Sequence, residues 1–247
     1  MIISLYNLIL YKPLLNLLIF FYNVIPGHDI GVVIILLTLL IRALLAPSFH
    51  KSLKSQKTMN DLQPKLNEVR QKHKDDKEAQ AKAMMDLYKE HKINPLSSCL
   101  PLLIQIPILI ALYQVFRVAL GNHDLVGLYS FIHKPTYISP YFLGLVDLSK
   151  SALINGKVYV PSLVFALVAG ITQFWQGRMM SLKVQNQDAT AKAMALQTTY
   201  MLPVVSVIVA LKLPSGLPLY WIITTLFAIF QQYYIMRKPK EVGVVNA

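Results

Sequence analysis

The sequence predicts an all-α polytopic membrane protein, and three observations lead to that fold class. Of its 247 residues, 55% are hydrophobic and 15% are charged, whereas a soluble domain carries about 25% charged residues. Apolar runs long enough to cross the hydrocarbon core of a bilayer recur along the chain. Most lysines and arginines lie between these runs, where they set the orientation of a membrane protein.

Five apolar segments are predicted to be transmembrane helices, and the turns between them agree with this division. The first lies within residues 27–48, and the other four lie within residues 94–237. A Pro214-Ser215-Gly216 turn joins the last two. In the outer loop 120–157, the pair Asn155-Gly156 between short apolar stretches predicts a tight β-hairpin. The five spans cover approximately residues 29–48, 98–119, 159–178, 195–212 and 217–236.

Residues 1–26 are apolar but are interrupted by polar side chains that fall near one helical face. Tyr6, Tyr11 and Tyr22 are of the type that anchors a helix at the membrane–water interface. We therefore predict an amphipathic helix that lies in the interface on the outer face, with an ordinary span as the alternative. No basic segment precedes the apolar part and no small-residue cleavage site follows it, so a cleaved signal peptide is not expected.

Residues 49–93 differ sharply from their surroundings, since they carry eleven lysines and arginines interleaved with acidic residues. Thin but periodic apolar positions and a charged break at Lys74–Lys77 predict an antiparallel pair of helices, about 49–73 and 77–92. A solvated charged loop with some helical content is the alternative. Because cytoplasmic loops are enriched in basic residues, this hairpin and the tail 238–247 are predicted to be cytoplasmic, and the N-terminal segment to be outside.

Arg42 is the most informative single residue, because it lies inside the first apolar span. At a rise of about 1.5 Å per residue it lies roughly 18 Å into a helix that starts at Ile30, past the middle of a hydrocarbon core about 30 Å thick. A charge at that depth costs at least a few kcal/mol unless it is compensated. No carboxylate lies inside any apolar run, so the compensating group is water, a backbone carbonyl, a lipid head group or a carboxylate of another molecule.

A modest set of polar residues in the spans is predicted to join Arg42 in a wet cationic cavity. Thr38 lies one helical turn before Arg42. Each of these residues taken alone has a simpler explanation, since a threonine in a span usually bonds its own backbone. The other members of the set are Gln105, Gln173, Thr224 and Thr225.

No catalytic or cofactor-binding arrangement is recognisable in the sequence. All six histidines lie outside the spans, and the chain has no HExxH, GxSxG or CxxC motif and no phosphate-binding glycine loop. The single cysteine, Cys99, excludes an internal disulfide and a cysteine-based metal cluster. The protein is therefore not expected to be an enzyme, and neither a cofactor nor a metal is expected.

Several short motifs occur in a fixed order along the chain. They are Asp61-Leu62-Gln63-Pro64-Lys65, Asn94-Pro95-Leu96, Pro101-Leu102-Leu103-Ile104-Gln105-Ile106-Pro107, Pro214-Ser215-Gly216-Leu217 and Gln231-Gln232. Together with Tyr220 they resemble the YidC family of membrane protein insertases, and the resemblance extends from about Tyr11 to Arg237. It implies a bacterial inner-membrane protein of the short form, without a large outer domain, in which Arg42 lies in a hydrophilic groove open to cytoplasm and lipid.

The resemblance implies that nascent membrane proteins with short, preferably acidic, translocated segments are the substrates. The lipid bilayer is the second partner, the ribosome and the Sec translocon are expected partners, and nucleic-acid sequence recognition is not expected. The chain lacks the long basic C-terminal tail of some relatives, so ribosome contact would fall to the hairpin and the connector 178–195. A small-molecule or anion transporter that uses Arg42 as its binding charge is the alternative.

Overall fold

The computed structural model describes residues 2–91, 94, 100–121, 123–154, 156–180 and 196–237, and these residues are mostly helical. Cys99, Asn155, most of the connector 178–195 and the tail 238–247 lie outside them. The helices are α1 (Ile2–Tyr6), a π-helical turn (Asn7–Tyr11), α2 (Lys12–Val24), α3 (Ile30–Asp61), α4 (Gln63–Lys72), α5 (Lys77–Glu90), α6 (Leu100–Leu120), α7 (Val160–Met180), a second π-helical turn (Gln197–Met201), α8 (Leu202–Ala210) and α9 (Gly216–Arg237).

The predicted fold class is confirmed. By length and composition, four helices within the described part of the chain are apolar enough to cross a membrane. They cover Ile3–Val24, Ile30–Asp61, Leu103–Leu120 and Val160–Met179, and Thr199–Ala210 is a shorter apolar helix. Helix α9 is not in this set, since amides and tyrosines interrupt its apolar sequence near the C-terminal end. The division into five spans therefore stays a prediction.

Helix α3 is capped by Asp29, whose carboxylate also holds the outer loop. One oxygen accepts hydrogen bonds from the backbone N–H groups of Gly31 and Val32, at 2.8 and 3.0 Å. Such a cap is worth about 1 kcal/mol because the first N–H groups of a helix have no partner within it. The other oxygen accepts from the N–H of Leu143 at 2.5 Å. The start of the span is thus tied to the loop that covers it.

The first span and the first part of the predicted hairpin form one continuous helix. The prediction had a separate helix at 49–73. Helix α3 runs without interruption through Pro47 to Asp61, and the break lies at Leu62. Pro64 explains that position, because its ring clashes with the carbonyl of residue 60 and is tolerated only in the first turn of the next helix. The second break lies near the predicted one: Asp76 caps α5 by accepting from the N–H groups of Glu78 and Ala79.

The loop between α6 and α7 contains two small antiparallel hairpins. The one predicted from Asn155-Gly156 is confirmed: β3 (Leu153–Ile154) pairs with β4 (Lys157–Val158). The other, β1 (Tyr141–Phe142) with β2 (Val146–Asp147), was not predicted. At its tip, Leu143 and Gly144 have φ values of +51° and +68°. Asparagine and glycine are the residues that usually predict such a turn, and leucine is not one of them.

The polar side chains of α2 bind this loop rather than water. The Asn16 amide donates to the carbonyl of Gly127 at 3.0 Å and accepts from the N–H of Tyr129 at 2.7 Å. Asn23 donates to the carbonyl of His133 at 2.8 Å, and the Tyr22 hydroxyl accepts from the N–H of Ser139 at 2.9 Å. Part of the polar set that suggested an interfacial helix, Asn16 and Asn23, is therefore bound to the loop.

The last helix, α9, is central to the bundle and packs against α3, α6 and α7. Small residues allow close approach where helices meet, as is usual in membranes. Gly170 of α7 is one such position, because an added Cβ would lie 2.3 Å from a methyl group of Val207 on α8. At the outer end, the hydroxyls of Ser162 and Ser215 contact each other and both donate to the carbonyl of Lys150, which joins α7, the turn before α9 and the loop.

Candidate functional site: a buried arginine between helices

Arg42 lies on α3 with 7% of its surface exposed. Its guanidinium carbon lies 4.6 Å from the centre of the Phe49 ring, a distance at which a cation is attracted to an aromatic face. Phe49 is seven residues further along the same helix, about 10 Å toward its C-terminal end. The side chain therefore extends toward the end of α3 that continues into the basic hairpin.

No protein carboxylate neutralises Arg42 within the part of the chain that the structure describes. The ion pairs there join Lys89 to Asp86, Lys134 to Asp124, and Lys150 to Asp147, all outside the spans. Pro47 adds a polar group nearby, since it lacks an N–H and leaves the carbonyl of Ala43 without its usual helical donor. The sequence-based expectation of an arginine without an internal counter-ion agrees with this arrangement.

Thr38 is buried beside Arg42 on α3, but its hydroxyl is occupied. It donates to the carbonyl of Ile34, four residues earlier, at 2.6 Å. This is the ordinary bond of a threonine in a helix, so the simpler explanation for Thr38 holds. The oxygen keeps lone pairs and can still accept one further bond.

Gln105 and Tyr220 are brought together by α6 and α9. The Gln105 amide donates to the Tyr220 hydroxyl at 2.5 Å, and Tyr220 is 1% exposed. The phenol of Tyr220 is also within direct electrostatic range of Arg42. Three helices, α3, α6 and α9, thus supply adjoining polar groups at this place.

The remaining predicted residues are buried or partly buried polar groups, and within the described residues no hydrogen bond or ion pair joins them to Arg42. Thr224 and Thr225 lie on α9, one turn beyond Tyr220, and both are buried. Within the described residues, the Thr224 hydroxyl and the Gln173 carbonyl oxygen of α7 have no hydrogen-bond partner. Buried polar atoms without partners are uncommon in folded proteins.

Sequence reasoning missed two neighbours of the site, Phe49 and Gln231, and did not single out the buried amide of Gln232. Phe49 carries the recorded aromatic contact to Arg42, and a single phenylalanine in an apolar helix gives no signal of such a role. Gln231 donates to the carbonyl of Ala46 at 2.9 Å, and Gln232 is fully buried with neither amide atom bonded within the described chain. The sequence shows Gln231 and Gln232 as two adjacent amides in a span, but it does not show which neighbouring helix each side chain faces.

Metal chemistry has no support in the geometry of the described residues. No group of three or more histidine, cysteine, aspartate or glutamate side chains there is arranged to hold a metal ion. What these helices assemble is a buried cation surrounded by neutral hydrogen-bonding groups. A positive charge in such surroundings favours an anionic or polar ligand.

The fold and this site define a multi-pass membrane protein with a cationic polar site between its helices. Residues 20–242 match the family described as 60Kd inner membrane protein, and the chain belongs to that family. The resemblance to YidC insertases is thereby confirmed, and the protein is a multi-pass protein of the inner membrane.

The relatives are longer proteins. The chain is 38% identical over 224 residues to the membrane protein insertase YidC of Geotalea daltonii, which covers 91% of this chain and 36% of the relative. It is 36% identical over 226 residues to the protein of the same name from Geobacter sulfurreducens, covering 92% and 37%. For the one from Magnetococcus marinus the figures are 36% over 230 residues, 93% and 36%. The chain thus spans little more than a third of these relatives.

Proposed function

We propose that this protein is a membrane protein insertase that moves short hydrophilic segments of nascent membrane proteins across the bilayer. The observation that carries the proposal is Arg42, a buried cation without an internal counter-ion in the described chain. Charged residues inside membrane spans are costly and usually mark the path of a substrate or an ion. The names of the relatives agree with this function.

The mechanism follows from the charge and needs no covalent step. Arg42 creates a positive potential in a polar region between α3, α6 and α9, which offsets part of the cost of desolvating an acidic segment. Buried groups without partners, such as Thr224 and Gln173, provide hydrogen bonds for the backbone of that segment. The apolar part of the substrate then leaves sideways into lipid, driven by its own burial.

The proposed insertase activity differs from the alternative, a small-molecule or anion transporter, and it determines which partners are expected. A transporter that uses Arg42 as a binding charge is not supported by the names of the relatives. The nascent chain and the lipid bilayer are the partners that the proposed activity requires. The ribosome and the Sec translocon belong to the same proposal, with the basic hairpin of α4 and α5 as the surface that meets the ribosome.

The N-terminal helix is part of this proposal as an interfacial element on the outer face. The Tyr6 hydroxyl donates to the Gln114 amide oxygen of α6 at 3.2 Å. Gln114 lies six residues, about 9 Å, below the outer end of α6 at Leu120, whereas Tyr6 is about 27 Å along its own helix from Val24. An upright helix beside α6 would carry Tyr6 much deeper. These contacts support a strongly inclined helix near the outer surface.

Photo-crosslinking tests the proposed contact with substrate. A photoreactive phenylalanine analogue at Phe49, which contacts Arg42, is expected to crosslink to the hydrophilic segment of a ribosome-stalled single-span protein. The matched control is the same group at Leu44, which is 72% exposed on α3 and is expected to face lipid. Crosslinks at Phe49 severalfold above those at Leu44 support the groove. Their absence at Phe49, or equal yields at both sites, would contradict it.

Site-specific labelling tests the orientation. With Cys99 replaced by serine, Lys74→Cys in the hairpin is expected to react only with a membrane-impermeant reagent added from the cytoplasmic side. Lys157→Cys, in the outer β-hairpin, is expected to react only from outside. The reason is the excess of basic residues between 50 and 92. Reaction of both cysteines from one side would rule out the proposed topology.

A further inference from the structure

The outer segment, residues 123–160, has apolar side chains on both of its faces. Leu125, Ile138 and Leu148 are buried in the core. On the outward side, Val126, Phe131 and Leu145 are 73%, 79% and 77% exposed. A loop surrounded by water normally carries polar residues there, since isolated apolar exposure is common but a whole series is not. The series continues with Tyr129, Tyr137, Tyr141, Leu143, Leu153, Val158 and Val160.

We propose that this outer segment is a lipid anchor whose outward apolar side chains enter the interface of the outer leaflet. Its attachment points support that depth. Val158 ends β4 just before α7 begins at Val160, and α7 contains a candidate span. The N–H of Leu143 binds Asp29, the residue that caps α3. The exposed side chains are therefore held at the level where helices enter the bilayer.

Leu143 is a second observation that points to lipid. It occupies the tip of the β1–β2 hairpin at a φ of +51°, a conformation that disfavours a bulky residue and favours glycine or asparagine. Its side chain is 65% exposed, so little contact within the protein compensates for that conformation. Immersion of the tip in the leaflet would make the leucine favourable through the burial of its side chain.

The distribution of these side chains favours a bilayer over a protein partner. The β1–β2 hairpin is held by α3, the β3–β4 hairpin leads into α7, and the paired rings of Tyr129 and Phe131 are held by Asn16 of α2. A single protein partner requires one contiguous patch, whereas lipid meets every side of the molecule. Exposed tyrosines are also typical of the membrane interface.

Spin labels in the full-length protein test the anchor without any need for insertion activity. With Cys99 replaced by serine, single cysteines at Phe131, Leu143 and Leu145 are labelled, and the protein is reconstituted in vesicles of phosphatidylethanolamine and phosphatidylglycerol. Collision with oxygen, which enters lipid, is expected to exceed collision with a water-soluble nickel complex severalfold. Thr136→Cys, beside the exposed Lys134, and Lys82→Cys on α5 are the controls, at which nickel is expected to dominate.

Two outcomes would overturn the anchor. Nickel dominance at Phe131, Leu143 and Leu145 would place them in water, and exclusion of both quenchers with an immobile label would mean that protein, such as a second copy, covers them. Leu143→Asn separates anchoring from folding, because asparagine tolerates the positive φ. With the label at Leu145, this variant is expected to increase nickel collision severalfold while the melting temperature is unchanged. Unchanged nickel collision would contradict the role given to Leu143.

Discussion

Replacing Arg42 by alanine is expected to reduce insertion of a substrate with an acidic translocated segment by about tenfold or more, and to affect a neutral one little. A pair of unit charges 4 Å apart interacts with about 4 kcal/mol at an effective dielectric constant of 20, and about 1.4 kcal/mol already changes a rate tenfold. Arg42→Lys is expected to keep most of the activity, because a point charge suffices where no bidentate partner is present in the described chain.

The assay uses two substrates that differ only in the acidity of the translocated segment, with the melting temperature of each variant measured alongside. Arg42→Ala is expected to leave the melting temperature nearly unchanged or to raise it, since it removes a buried charge that lacks a partner. The contact with Phe49 opposes this gain by only about 0.5–2 kcal/mol. Arg117→Ala, an exposed arginine on α6, is the matched control. An equal loss on both substrates with a clear drop in melting temperature would make Arg42 a structural residue.

Gly31→Ala is expected to lower stability through one clash at the N-terminal end of α3. A Cβ at Gly31 would lie 2.1 Å from a ring carbon of Phe142 on the β1–β2 hairpin, far inside van der Waals contact. Overpacking of this kind costs about 1–3 kcal/mol, which exceeds the helix-propensity gain of about 1 kcal/mol for alanine over glycine. A lower melting temperature in detergent, by roughly 2–8 °C, is the expected measurement.

A double-mutant cycle assigns that loss to the ring. Phe142→Ala removes the two nearest ring carbons, at 2.1 and 2.4 Å from the added Cβ, but keeps its own Cβ at 2.7 Å. The loss from Gly31→Ala in that background is therefore expected to be clearly smaller, though not abolished. The two positions would then show strong coupling, as contacting residues do. The cost of Phe142→Ala alone, which also loses the contact with Phe165 at 6.4 Å between ring centres, serves as the reference. The same loss from Gly31→Ala in both backgrounds would mean that the clash is relieved elsewhere.

Hydropathy predicted the apolar helices, and turn chemistry predicted the Asn155-Gly156 hairpin, because those signals are local. The division into five spans stays a prediction. The β1–β2 hairpin escaped prediction because Leu143 occupies a turn position that usually carries glycine or asparagine. The end of α3 was also misjudged, since the change from apolar to charged sequence at residue 49 marks where water begins, not where the helix stops. The composition of a segment indicates whether it lies in water or lipid, whereas the end of α3 at Asp61 is determined by Pro64.

The sequence predicted the charge of the candidate site but not which of its side chains form hydrogen bonds with each other. Arg42 is evident as a charge in an apolar run, and the likeness to known insertases added Tyr220. That Thr38 bonds Ile34 while Gln105 bonds Tyr220 depends on the rotation of α3, α6 and α9 about their axes. Those rotations are set by close contacts such as the one at Gly216, where an added Cβ would lie 3.0 Å from Leu120. No local pattern carries that information.

The continuity of α3 couples the polar C-terminal part of this helix to the part that lies in the membrane. Its 32 residues form a rod about 48 Å long, and a hydrocarbon core about 30 Å thick leaves roughly a third of it outside. Gln231 binds the carbonyl of Ala46, one turn beyond Arg42 and near the point where the helix emerges. A displacement of residues 49–61 is therefore expected to shift the backbone that carries Arg42, unless the helix bends at Pro47.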